Sequence, residues 1–363
     1  MSTALTFGIE EEYLVLDAAT RRPSPVGARA VTRLSDVDFH REFSAAQAEF
    51  ATPVCLDLAA AGKELTRGRT TLAEAARDHG ALIIASGTPP LGRPGPPPVT
   101  DKPRYRRMAE RFGMLTEDQG VCGCHVHVGV PDVDEAIRVS NHIRPWLPAL
   151  LLLAANSPFF NGRDTRYASW RTVVWSRWPV VGVPPHFRDV REYHELVGRL
   201  VDAEVVTDAG MIYWFVRPSR HVPTVEVRVA DVAMTVPEAL LQAALTRALV
   251  SVALESERQP CVSDVLLRTA CAQAALVGPD GRCLDPFSGK ASEGWNLVDD
   301  LVRHVSPALR AAGDLGFVQG QMSWLRAHGG GAARQRRVLR ERGELSAVVD
   351  HLAAATTGPE PKW

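Results

Sequence analysis

Apolar residues between Phe7 and Asp17, FGIEEEYLVLD, run at strand length and enclose three consecutive glutamates. A strand turns successive side chains to opposite faces. Ile9, Glu11, Tyr13 and Val15 therefore share one side, and Gly8, Glu10, Glu12, Leu14 and Leu16 the other. Glu10 and Glu12 then point the same way, about 7 Å apart along the strand. Like charges that close repel, and burial raises the cost further. A divalent cation between them resolves the conflict.

The same patterning predicts strands over 5–17, 81–87, 121–130, 211–216 and 223–232. It predicts helices over 58–79, 133–156, 237–257, 262–276, 293–311 and 334–355. In the last helix Val338, Leu339, Leu345, Val348, Val349 and Leu352 fall on one face. Asp132 or Asp134 suits the cap of the helix near Val133, and Pro237 suits a first turn. Strands spaced without a regular βαβ beat favour α+β over a doubly wound sheet.

Two segments break the pattern. Residues 88–104, TPPLGRPGPPPVTDKPR, are proline-rich and predicted to be extended and outside the core. Residues 157–186 mix Arg163, Arg166, Arg171 and Arg177 with Tyr167, Trp170, Trp175 and Trp178, and a connector that long suggests function. Residues 327–337, AHGGGAARQRR, read as a mobile surface loop, since they lack the Lys-Ser/Thr ending of a phosphate loop. No internal repeat or clean linker divides the chain, so a single domain is expected.

Within CGCHVHVGV, His125 and His127 share a face, while Cys122, Cys124, Val126 and Val128 take the other. That separation argues against a Cys/His zinc site. Two histidines on one face fit a half-exposed strand as well as a ligand pair. In PTVEVRVADV, Val225, Val227 and Val229 form an apolar face and leave Glu226 with Arg228 opposite. Such a pair describes a cross-strand salt bridge, or a metal ligand beside a fork-shaped phosphate contact. Glu42 and Glu49, in REFSAAQAEFATP, read alone as solvated surface groups. Together these positions form an oxygen-rich set that suits magnesium, or manganese, holding nucleotide phosphates.

The 363 residues carry a formal net charge of −1, which gives no electrostatic footprint for nucleic acid or an acidic membrane. Lys63, Lys102, Lys290 and Lys362 are the only lysines, so arginine supplies nearly all positive charge and single arginines mean little. The six cysteines show no disulfide spacing, and the sequence opens without a leader-like segment. The longest apolar run, about residues 146–155, is too short to cross a bilayer. A cytoplasmic location is expected.

The blocks FGIEEEYLVLD, EFATPVCLDL, GCHVHVGV, NGRDTRYASWR and TVEVRVADVAMT, in that order, resemble the type 2 glutamate–cysteine ligases, also called carboxylate–amine ligases. The resemblance runs from about Phe7 to Thr356. It implies a glutamine-synthetase-like α+β fold: a curved antiparallel sheet with ATP and metal on its concave face and helices behind. One catalytic domain over residues 1–363 follows, with 359–363 a loose tail. Position by position it implies Glu10, Glu12, Glu42, Glu49, His125 and Glu226 as metal ligands, and Arg228 and Glu49 as catalytic. It also implies His127 and Arg228 as substrate or ATP contacts, and Arg166 and Arg171, in the shared loop block, are expected to contact substrate carboxylate or phosphate.

The implied reaction uses ATP and Mg2+ to activate a carboxylate, glutamate's side chain first among them. A small amine, cysteine or another, then takes up the acyl group. A homodimer is compatible with this picture. A two-metal hydrolase and a non-catalytic nucleotide- or amino-acid-binding relative are the competing readings.

Overall fold

Alternation in the Glu-rich segment produces the central strand of a seven-stranded sheet. The computed structural model describes residues 5–34, 38–95, 98–117, 120–256 and 259–358; the tail expected at 359–363 lies outside them. The sheet strands are β1 (Phe7–Asp17), β2 (Phe39–Arg41), β3 (Gln47–Ala51), β4 (Ala81–Ile84), β5 (Gly123–Gly129), β6 (Val216–Pro218) and β7 (Thr224–Asp231). Their order is β6-β7-β5-β1-β3-β2, with β4 on the C-terminal half of β1, and every pairing is antiparallel. Eleven residues long, β1 reaches three neighbours in succession.

Helices cover one face of this sheet. Leu58–Arg77 begins at Asp57, whose carboxylate accepts from the Ala60 N–H at 2.8 Å. Val236–Glu255 begins with a capping box between Thr235 and Glu238 and has Pro237 in its first turn. This second helix is long and apolar enough to cross a membrane, but 89% of its apolar window is buried inside the protein. It is a core helix. Phe7, Ile9, Tyr13 and Val15 point into the same core, which extends to Leu352.

Several elements differ from the sequence expectation for identifiable reasons. The helix expected over 133–156 is interrupted: Val133–Ile143 ends, Arg144–Trp146 forms a 3-10 turn, and Leu147–Ala154 resumes. Pro145 and Pro148 supply no N–H for a continuous ladder. The helix expected over 334–355 is two, Gly331–Arg342 and Leu345–Thr357, broken at Gly343 with φ 78°. The first of them occupies much of the supposed mobile loop. Arg334 there is buried against Glu238 at 2.7 Å, and Gln335 Nε2 donates to Asn156 Oδ1 at 2.8 Å.

The proline-rich segment also departs from expectation at its start. Thr88, Pro89 and Pro90 are buried, with the Thr88 hydroxyl donating to the Phe159 carbonyl at 2.7 Å. Its end leads into an unanticipated helix, Pro103–Phe112. The strand expected over 211–216 is a 3-10 turn, a two-residue strand and the start of β6.

Candidate active site

Register gathers the front-face carboxylates. On β1, Glu10 lies opposite His125 of β5 and Glu12 opposite Glu49 of β3. Across the next pairing His127 stands opposite Glu226 of β7, which faces Arg217 of β6. Glu42 follows β2 and turns toward the same area. Two triplets of donor atoms result, Glu10 with His127 and Glu226, and Glu12 with Glu42 and Glu49; within each the atoms lie within 4.8 Å of one another.

The triplets differ in charge. In the first, Glu10 is held by His125 Nδ1 at 3.3 Å and His127 Nε2 at 3.2 Å. Burial opposes its ionisation, but these histidines outweigh it and hold the carboxyl well below its ordinary range. His127 is pushed up despite burial, through Glu10 and Glu226, whereas burial and Arg228 bring His125 down to about 4. Glu226 accepts from Arg217 Nε at 2.8 Å and also from Arg228. Burial works against its charge too, yet Arg228 and Arg217 keep it ionised.

The second triplet has no comparable set of cations. Burial and the neighbouring Glu42 lift the Glu12 carboxyl to about 7, against the opposing pull of Arg171 and the Gly123 N–H. That N–H donates to Glu12 at 2.6 Å. Glu49 rises well above its ordinary range through burial, Glu42 and Glu10. Carboxylates in this condition are poised to exchange protons for a hard divalent cation. His125 adds a buried Nε2 that has no hydrogen-bond partner among the described residues. The donor set therefore fits Mg2+ or Mn2+ better at Glu12, Glu42 and Glu49 than at the already compensated Glu226.

Three of these groups, Glu12, Glu42 and His125, line a cleft whose walls also include Arg171, Trp175, Tyr213 and Arg228. A short helix, Trp170–Trp175, capped by Ser169, delivers Arg171. The Arg171 guanidinium stacks on Trp175 at 4.5 Å, lies 3.9 Å from Asp231 and is only 2% exposed. Its Nε has no hydrogen-bond partner among the described residues, and neither does that of Arg228. In β7 the register shifts between Val227 and Ala230, and the Arg228 N–H turns to the Phe215 carbonyl. A buried and a half-buried guanidinium beside a carboxylate cluster are suited to a ligand that carries anionic oxygens and a bound cation.

The structure thus brings Glu10, Glu12, Glu42, Glu49, His125, His127, Glu226, Arg171 and Arg228 to one face. It does not bring Arg166, which is exposed at φ 68° with its N–H bonded to Asp164. It places His127, rather than His125, in the Glu10–Glu226 triplet. Arg217 and the Gly123 N–H were not anticipated, and Trp175 was noted only as part of the 157–186 segment. Arg217 is legible only once the β6–β7 register is known.

Known proteins resemble this chain over nearly its whole length. A protein of Saccharopolyspora erythraea named "Putative glutamate--cysteine ligase 2-1" is 49% identical over 98% of this chain and 96% of its own length. One from Salinispora arenicola, named "Putative glutamate--cysteine ligase 2", is 45% identical over 97% and 95%. Among solved structures, the Francisella tularensis glutamate–cysteine ligase in complex with AMP superposes with a TM-score of 0.75 at 15% identity, covering 99% of this chain and 90% of that one. The ligase PafA, in complex with the ubiquitin-like protein Pup, gives 0.53 at 12%, covering 99% and 74%. The fold is the glutamine-synthetase-like one.

These likenesses define the class: the protein is an ATP-dependent carboxylate–amine ligase, an enzyme that forms carbon–nitrogen bonds. Within that class, the chain belongs to the glutamate–cysteine ligase family 2, whose model matches residues 6–351.

Proposed function

We propose that this ligase activates the side-chain carboxylate of glutamate, or of a similar acid, as an acyl phosphate and passes it to a small amine. The observation that carries the reading is the under-compensated Glu12–Glu42–Glu49 triplet, two of whose members, Glu12 and Glu42, share one cleft with Arg171 and Arg228. Glu12, Glu42 and Glu49 would hold Mg2+, with Glu10, His127 and Glu226 as a second position. The cation supplies charge neutralisation at the phosphate oxygens.

Arg228 and Arg171 orient the phosphoryl group and stabilise its charge as a substrate carboxylate oxygen bonds to the γ-phosphorus and ADP leaves. The amine nitrogen then bonds to the acyl carbon, inorganic phosphate departs, and the amine releases a proton. Positioning and electrostatics supply the rate, so no enzyme nucleophile is required. A cytoplasmic setting, where ATP is plentiful, suits this reading.

The test is ADP release from purified protein with Mg2+ and glutamate, with and without an amine panel that includes cysteine. Amine-dependent ADP release, with an amide of matching mass, is expected. Phosphate release from phosphoesters without ATP would instead establish the hydrolase.

A further inference from the structure

The middle glutamate of the Glu10–Glu11–Glu12 run faces the opposite way from its neighbours, into the core behind the sheet. Glu11 is 0% exposed and meets the equally buried Arg69 of helix Leu58–Arg77. Arg69 Nε and Nη2 donate to the two Glu11 oxygens at 3.0 and 2.6 Å. Its remaining donors reach the carbonyls of Ala233 at 2.9 Å, Met234 at 3.1 Å and Thr356 at 3.3 Å. All five guanidinium N–H groups are therefore used. The Tyr13 hydroxyl also donates to Glu11.

A buried ion pair is a poor way to gain stability, because apolar groups of equal volume serve as well or better. It can, however, fix position. Arg69 holds β1 through Glu11 and at the same time holds the Ala233 and Met234 carbonyls that follow β7 and the Thr356 carbonyl near the end of the last helix. One guanidinium therefore ties the back of β1 to three segments distant in sequence, and Glu10 and Glu12 sit on either side of that tie on the opposite face of the strand.

We infer that Arg69 is a positioning residue whose pairing with Glu11 anchors β1 from behind and so fixes where Glu10 and Glu12 stand on the front of the sheet. This rests on the reading of Glu10 and Glu12 as metal ligands, but the anchoring itself is measurable without turnover. The test compares the native enzyme with the paired apolar replacement Glu11→Leu/Arg69→Met, and with Tyr13→Phe as the mild variant that retains both charges. Amide hydrogen exchange across Phe7–Asp17 reports the strand, and Mn2+ titration reports the ligands.

The paired variant is expected to fold, to exchange its β1 amides faster, and to bind Mn2+ about tenfold more weakly, the scale seen when ligand-orienting groups are lost. Tyr13→Phe is expected to move both readouts in the same direction by less, and it decides the matter if the paired variant does not fold. Native exchange and native Mn2+ affinity in a folded variant overturn the proposal. Fast exchange with unchanged Mn2+ binding overturns its link to the ligands. Absence of ligation by the native enzyme would sink the proposed reaction while leaving the exchange result standing.

Discussion

Glu12 of β1 stands directly opposite Glu49 of β3, and a third carboxylate, Glu42, shares their space. Opposed like charges destabilise a sheet, and a bound cation would relieve that cost once the carboxyls are ionised. In alkaline buffer free of divalent ions, Glu12→Gln is expected to raise the unfolding midpoint, with a gain in stability of about 1 kcal/mol on the scale of cross-strand charge pairs. Added Mg2+ should stabilise the native protein and largely fail to stabilise the variant. Thermal unfolding with and without Mg2+ checks both halves, and equal stabilisation of the two proteins would remove Glu12 from the ion's shell.

Arg171 and Arg166 separate cleanly. Arg171→Ala should lower ADP formation by about 100-fold, the cost of losing one preorganised donor at developing charge. Arg166→Ala should leave it within twofold or so, because an exposed surface arginine is normally replaceable. Steady-state kinetics on both variants is the measurement. A large loss in the Arg166 variant would return that residue to the site.

Arg228→Ala is expected to reduce kcat by about 100-fold with a smaller change in KM for ATP. Glu226 keeps Arg217 at 2.8 Å in this variant, so its charge is not stranded. Equal changes in kcat and KM would mark Arg228 as a binding group alone.

Gly123 is confined by the site rather than by backbone torsion. A Cβ there would meet Arg171 Nη2 at 2.4 Å and His125 Nε2 at 3.0 Å. Gly123→Ala should therefore displace the Arg171 guanidinium and cut activity at least about tenfold, since misplacing a catalytic group by an ångström costs that or more. Activity beside a circular-dichroism melt tests it; a variant with native turnover shows that Arg171 can shift without consequence.

Away from the cleft, His142 and His304 point their Nε2 atoms at each other across 3.3 Å, and the His304 ring lies on Trp146. Burial lowers the pKa of His304. The folded protein then takes up that proton at lower pH than the unfolded chain. Its contribution to stability is complete above about pH 6.5 and is lost as pH falls through the folded value. His304→Phe should lessen the fall in melting temperature on acidification, and matching slopes in the two proteins would exclude His304 as a cause.

Legibility followed periodicity. β1, β5 and β7 were readable because alternation survives in FGIEEE, CHVHV and TVEVR, and the resemblance supplied roles that alternation could not. Glu42 and Glu49 looked like surface groups because a three-residue strand, β2, and the turn after it carry no pattern long enough to detect. The break at Gly343 was masked by an apolar stripe that continues through it from Val338 to Leu352. Arg334 and Arg69 could not stand out in a chain where arginine is nearly the whole positive charge. Their importance comes from partners distant in sequence, Glu238 and Glu11.

Both outer strands of the sheet, Phe39–Arg41 and Val216–Pro218, are three residues long, and the latter ends in a proline with no amide hydrogen to offer. Stubby borders of this kind discourage a second molecule from continuing the ladder. A homodimer made by continuing the sheet past either of these two borders is therefore disfavoured.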